Sequence, residues 1–260
     1  MQQICSVEDL IGLEKKLAWQ RMSGIRFMFR GQSDAIWPIK TTLFRILGNT
    51  YDKDEIWAHY IECYQKFKNY VVSAGVLEYK PINENEDLYI LSMARHLGFP
   101  CHLLDWSASL RKAVLFACSE STDIDGALCI MSTTKPLNIY PIEISPFEID
   151  SPLLISKEFD LIPSNKCISD FPLGRLRRFR QNGFMSIIPR KFLSKDFETI
   201  LDTNYSLSKI HIAARAKANI LKYLQKNGES LDFILAYNDL KNNRLQQLVW
   251  DLTNELNNKK

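Results

Sequence analysis

No apolar run in these 260 residues approaches the roughly 18–20 that span a bilayer, so a membrane-crossing helix is not expected. The opening residues, MQQICSVED, lack a basic stretch followed by an apolar one, which argues against an export signal. A soluble, cytoplasmic chain is the resulting expectation. Cysteine is sparse: the six residues are scattered, no two closer than eleven positions. That spacing excludes Cys-x-x-Cys motifs and does not look like a disulfide framework, so buried thiols are expected. A Walker loop, Gly-x-Gly-x-x-Gly and Gly-x-Ser-x-Gly are all missing, and no zinc spacing stands out. His96, Cys101, His102 and Asp105 gather in one stretch without a His-x3-His arrangement. Cys101 and His102, adjacent on an extended chain, would face opposite ways and make a poor nucleophile–base pair. No metal is expected, and these residues, His102 among them, are read as structural or as positioning a bound substrate.

Internal repeats, low-complexity tracts and Gly/Ser linkers are absent too, so one domain over 1–260 is expected, with an N-terminal helix in 1–24. Ser6-x-x-Asp9 resembles a helix cap, and Leu10, Leu13 and Leu17 then recur at helical spacing up to Gly24. Ile25, Phe27 and Phe29 alternate with Arg26, Met28 and Arg30 as in a half-buried strand. Helices are predicted from Asp54 to about Tyr70, with Ile56, Tyr60, Tyr64 and Phe67 on one face, and over Asp87 to His96 before Gly98 and Pro100. A short apolar helix capped by Ser107 or Ser109 should run to Cys118, and Ala127 to Met131 should be a buried strand. Four prolines between Asn138 and Lys166 suggest an irregular surface excursion. A hairpin is expected at Asn182-Gly183, with Arg178 to Gln181 as one arm and Phe184 to Ile188 as the other. A last strand over Lys209 to Ile212 and helices over Ala214 to Asn227 and Leu245 to Leu256 complete the chain. Strands and helices intermix without βαβ regularity. The expected fold is α+β, with a mixed or mostly antiparallel central sheet flanked by helices.

Three segments carry chemistry. Arg30-Gly31-Gln32 sets a guanidinium, a flexible turn and an amide at a strand end, a good clamp for phosphate or nucleotide with Gly31 letting a ligand approach the backbone, although an Arg salt-bridged at an ordinary turn would read the same. Asp105-Trp106-Ser107 offers a buried acceptor, a stacking face and a hydroxyl, although Asp105 would look the same as a helix cap. The net charge of +3 is too small to imply nucleic acid, but its distribution is uneven. From Phe171 to Lys191 there are six basic residues and no acidic one. There Arg175, Arg177, Arg178 and Arg180 surround Phe179, a composition suited either to tracking phosphates and stacking bases or to a solvated basic hairpin.

In this order the pieces resemble the FRG-domain family, named for Phe-Arg-Gly. Phe29-Arg30-Gly31-Gln32 matches the naming motif, and Leu43-Phe44-Arg45 follows it. Arg95-His96-Leu97-Gly98-Phe99-Pro100-Cys101-His102-Leu103-Leu104-Asp105-Trp106-Ser107 matches the central segment at His96, Gly98, Pro100 and Leu103 to Trp106. Ala113 to Ala117 gives the helix beyond it. Arg177 or Arg178, with Gln181, Gly183 and Phe184, resembles a third element, and the likeness spans about 27–248. Arg95 stands where the family tends to have Gln, and Cys101-His102 replaces Thr-Arg.

The family is similar in outline to ADP-ribosyltransferases, which implies a set of roles. Arg30 would grip the diphosphate of NAD as substrate, and Gly31, Gln32 and His102 are further cofactor-binding candidates. Trp106 and Ser107 would line the nicotinamide pocket. Gln181 would take the late catalytic position, with Asp105 as the nearest carboxylate. The resemblance implies a toxin or phage-defence effector that modifies a cytoplasmic macromolecule and is restrained by an antitoxin-like protein, and the basic run points to single-stranded RNA as its target. A non-catalytic nucleotide sensor or interaction module is the alternative.

Overall fold

Two periods in the sequence build two kinds of element, and long-range pairing then orders them. The computed structural model describes residues 3–47, 53–73, 87–135, 145–149, 154–157, 183–229 and 243–258. Along the chain these form β1 (Gln3–Ile4), α1 (Val7–Met22), β2 (Arg26–Gln32), α2 (Thr42–Leu47), α3 (Lys53–Ser73), α4 (Asp87–His96), β3 (Leu103–Ser107), α5 (Leu110–Cys118), β4 (Gly126–Thr133), β5 (Leu154–Lys157), β6 (Gly183–Ile187), α6 (Phe197–Ile200), β7 (Ser206–Ile212), α7 (Ala214–Lys226) and α8 (Asn243–Asn258). The fold is α+β. The described strands form one mixed sheet in the order β1-β7-β4-β2-β3-β6-β5, antiparallel except for the β1–β7 pair.

The alternation in β2 divides the interior. Phe27 and Phe29 point into one core with Leu128 and Ile130 of β4, closed by Leu10, Leu13 and Leu17 of α1, by α5, and by Ile220 and Leu224 of α7. Met28 points the other way with Cys129 and Met131, into a core formed by α3, α4 and α8. Burying each large apolar side chain contributes about 1.5–3 kcal/mol, so shifting β2 by one residue would misplace both sets at once. The α3 face expected from spacing holds at Tyr60, Tyr64 and Phe67, and Trp57, Cys63 and Val71 extend it, while Ile56 is only half-buried.

Local signals set the helix ends. Ser6 Oγ accepts the Asp9 amide at 3.1 Å while Asp9 Oδ2 accepts the Cys5 amide at 2.8 Å, a reciprocal cap. Ser109, and not Ser107, caps α5 by accepting the Lys112 amide. Gly98 ends α4 with φ +98°, a conformation that side chains rarely adopt.

Two expectations change. Leu154–Lys157, within the stretch read as irregular, is an edge strand paired to β6. The two sides of β6 are taken by β3 and β5, so this strand is not paired as the predicted hairpin; the hairpin's other arm, Arg178 to Gln181, lies outside the described residues. Sequence reading also missed Lys217, fully buried on α7. Its Nζ donates to the carbonyls of Ser33 and Ser121, each at 2.8 Å, tying the exit of β2 to the exit of α5.

Candidate functional site

The two central strands part company, and a cleft opens where they do. β2 and β3 are paired only at Phe29↔Ser107, beyond which Arg30 to Gln32 and Leu104 to Trp106 have no ladder partners in each other. A backbone carbonyl left in such a gap needs a donor. Arg30 supplies it: Nη1 donates to the Asp105 carbonyl at 2.8 Å. The cleft, about 370 Å³, takes its walls from both faces of the sheet, with Thr42 and Arg45 of α2, Arg95 and His96 of α4, and Ala113 and Phe116 of α5.

Its electrostatics are lopsided. Arg30, Arg45 and Arg95 all line it, against Asp105 and, at the exposed rim, Glu120. Asp105 is taken by Arg95, whose Nε donates to Oδ1 at 2.8 Å and Oδ2 at 2.7 Å, with Nη2 also on Oδ2. Burial alone would raise the Asp105 carboxyl, but the Arg95 guanidinium overrides it and holds the group well below the usual carboxylate range. Burial also opposes the charge on Arg95, and Asp105 more than restores it. Among the described residues, Arg30 gains no such carboxylate contact. Burial and then the neighbouring Arg95 push its pKa down to about 10, against the weaker pull of Asp105. Its Nε is buried with no acceptor, and so is the indole Nε1 of Trp106. At the rim, the Arg45 guanidinium meets no acceptor among the described residues, and Trp37 is 41% exposed.

The residues singled out from sequence fall into separate groups. Arg30, Gly31, Gln32, Asp105, Trp106 and Ser107 converge on this cleft. Gln32 is already engaged, donating to the Pro38 carbonyl and meeting the Cys129 thiol. Ser107 Oγ accepts the Ser109 amide at 3.0 Å, and Trp106 packs on Phe197. Asp105 lies within β3 and caps no helix. Gly31 is not a turn but an interior position of β2. A methyl there would meet the Ala113 carbonyl oxygen at 1.9 Å, so what approaches this backbone is α5, not a ligand.

His102 does not line the cleft. It is fully buried among Trp57, Tyr60 and Phe147. Because the Pro146 carbonyl at 3.1 Å can only accept, Nε2 carries the proton, and Nδ1 accepts the Tyr60 hydroxyl at 2.8 Å. Burial holds this ring neutral, with its pKa pushed down to about 4. Gln181 and the basic residues Arg175, Arg177, Arg178 and Arg180, with Phe179, lie outside the described residues. Of the same basic run, Arg190 is described and pairs with Asp54.

Sequence reasoning missed two cleft residues that matter. Arg95 was noted only as a departure from the family pattern, and its ion pair with Asp105 was not foreseen. Arg45 appeared only as part of a motif. Three arginines meet in a cleft whose lining holds only Asp105 and Glu120 as carboxylates, an imbalance that no single stretch of the sequence displays.

The family model of the FRG domain matches residues 25–126. Every residue lining the cleft falls within that segment. No curated protein and no solved structure matches the chain, so the expected likeness to ADP-ribosyltransferases rests on the residues alone.

Proposed function

We propose, taking residues 25–126 as an FRG domain, that the cleft between β2 and β3 binds a phosphate-bearing nucleotide. One observation carries this reading: Arg30 is held in the cleft with a carbonyl as its acceptor, an orphaned Nε and no carboxylate contact of its own. A desolvated guanidinium that lacks a counter-ion is costly, and an anion offering two oxygens would relieve it through the planar fork. Arg45 stands ready at the rim as a second phosphate contact, while Trp37 offers an exposed ring on which a base can stack.

NAD is the nucleotide we place here, and transfer of its ADP-ribosyl group to a macromolecule is the finer reading. Loss of nicotinamide develops positive charge on the ribose, which the Asp105 carboxylate, fixed by Arg95, would stabilise. An RNA target and a restraining protein belong to this finer reading, and the basic residues that motivate the RNA lie outside the described segment. No described helix is long and apolar enough to cross a membrane. A non-catalytic nucleotide sensor is the second reading, and the bidentate grip of Arg95 favours it, because that grip leaves Asp105 little freedom to respond to a reaction.

Trp37 and Trp106 make the test direct, since both line the cleft. Titrating NAD, ADP and inorganic phosphate against tryptophan fluorescence should give saturable quenching that Arg30→Ala removes while still folding cooperatively, destabilised only by the about 1–3 kcal/mol that leaving the Asp105 carbonyl without its donor costs. Arg30→Lys should restore little of it, because a point charge does not reproduce the fork. Nicotinamide release would select the transferase, and binding without turnover the sensor. If no phosphate-bearing compound binds, or Arg30→Ala binds as well as wild type, the cleft reading is wrong.

A further inference from the structure

Away from the cleft, α3 and α8 bring together three side chains with the donor atoms of a metal site. His59 and Cys63 are four residues apart on α3 and therefore share one face. Glu255 of α8 meets them there. His59 Nε2 lies 3.9 Å from Cys63 Sγ and 3.9 Å from a Glu255 carboxylate oxygen, and the three ligand atoms are within 4.8 Å of one another. Zinc at about 2.3 Å from sulfur and about 2.0–2.1 Å from nitrogen and oxygen sets tetrahedral donors roughly 3.3–3.6 Å apart. The two distances from His59 Nε2 need a contraction of about half an ångström on that scale, and the Cys63–Glu255 pair, within 4.8 Å, one of at most about 1.3 Å.

The imidazole is already oriented for the task. Its other nitrogen, Nδ1, lies 3.4 Å from the Glu62 carboxylate, so the proton belongs on that side and the Nε2 lone pair faces Cys63 and Glu255. Metal-bound histidines are held by carboxylates in this way. The site also has a door. His59 and Cys63 are buried, at 5% and 0% exposure, while the Glu255 side chain is 39% exposed. In place of an ion, Lys66 Nζ sits 2.5 Å from Glu255 Oε1, on a side chain exposed enough to swing away.

We infer that His59 Nε2, Cys63 Sγ and the Glu255 carboxylate form a binding site for a zinc-class divalent cation, with a fourth position open to water, that clasps α8 to α3. A mixed nitrogen, sulfur and oxygen set suits zinc and excludes a preference for magnesium or calcium. On binding, the Cys63 thiol loses its proton to solvent, the sulfur–metal bond forms, and Lys66 leaves the carboxylate. The expectation of no metal rested on the lack of paired cysteines and paired histidines, and it did not weigh a His-x3-Cys turn whose third ligand comes from a distant helix.

The test uses the full chain stripped of metal with a chelator. Titration with Co²⁺ should saturate at one ion per chain with a thiolate-to-cobalt band in the near ultraviolet, and Zn²⁺ should then displace it. Cys63→Ser should remove the band. Glu255→Gln, a change at a partly exposed position, should weaken binding at least about tenfold while the metal-free melt stays as in wild type. Lys66→Ala should tighten binding, because it removes the competing cation, an outcome that a merely structural Glu255 would not produce. No band, a band that survives Cys63→Ser, or unchanged affinity in both Glu255→Gln and Lys66→Ala would overturn the site.

Discussion

Replacing Gly31 with alanine puts a carbon 1.9 Å from the Ala113 carbonyl oxygen, 2.7 Å from the Ala117 amide nitrogen and 2.9 Å from the Ala113 carbonyl carbon. All three are backbone atoms of α5, so no change of rotamer relieves the clash. Either β2 or α5 must retreat by about 1.5 Å to reach ordinary contact near 3.5 Å. Retreat of α5 loosens Leu110, Ala113, Val114, Leu115 and Ala117, all buried, and a gap of about 1 Å already forfeits up to half of each contact's attraction. Overpacking typically costs about 1–3 kcal/mol, and a rigid backbone clash belongs at the upper end. About 3 kcal/mol lowers the melting temperature of a domain this large by about 6–12 °C. Near-ultraviolet circular dichroism on heating reads this, with Gly12→Ala as control. Gly12 is exposed on α1 with nothing within 4 Å of an added Cβ, so alanine there should stabilise by about 0.5–1 kcal/mol. If Gly31→Ala melts within about 2 °C of wild type, the α5 contact does not explain this glycine. If it also loses nucleotide binding alone, the ligand explanation returns.

Asp105→Asn should destabilise by about 2 kcal/mol, less than the 3–5 kcal/mol for breaking a fully buried ion pair, because 40% of the Asp105 side chain is open to the cleft. Urea unfolding of Asp105→Asn, Arg95→Gln and the double variant checks it, and additive losses would show that the two groups do not act as a pair. His102 gives the fold a pH dependence. Its folded pKa of about 4 lies below the unfolded value, so the unfolded chain binds the extra proton, and stability falls as pH drops from about 6.5 towards 4. Between pH 7 and about 4.5 this should cost about 2–3 kcal/mol, read from urea midpoints, and His102→Gln should flatten that slope.

The elements were largely legible because their causes are local. The alternation of Phe27, Met28 and Phe29 and the helical recurrence of Leu10, Leu13 and Leu17 follow from backbone geometry that any short window displays. The caps at Ser6 and Ser109, and the stops at Gly98 and Gly228, rest on conformations of single residues. β3 was harder to see. Leu103 to Ser107 lacks a clean two-residue alternation because both of its faces are buried, which removes the polar half of the signal. β5 hid behind prolines and declares itself only through its pairing with β6.

By itself, then, the sequence determined the α+β class and most element boundaries, because periodicity and capping are properties of neighbouring residues, while the grouping of Arg30 with Asp105, Trp106 and Ser107 was expected only from the family resemblance. Tertiary structure alone decided what each group does there. It sent His102 into the core between Tyr60 and Pro146, gave Asp105 to Arg95, pressed Gly31 against α5, and brought Glu255 to His59 and Cys63. The physical reason is that hydrogen bonds, ion pairs and burial depend on which atoms meet within a few ångströms. That is settled by how strands and helices from distant parts of the chain pack, and not by the order in which they are written.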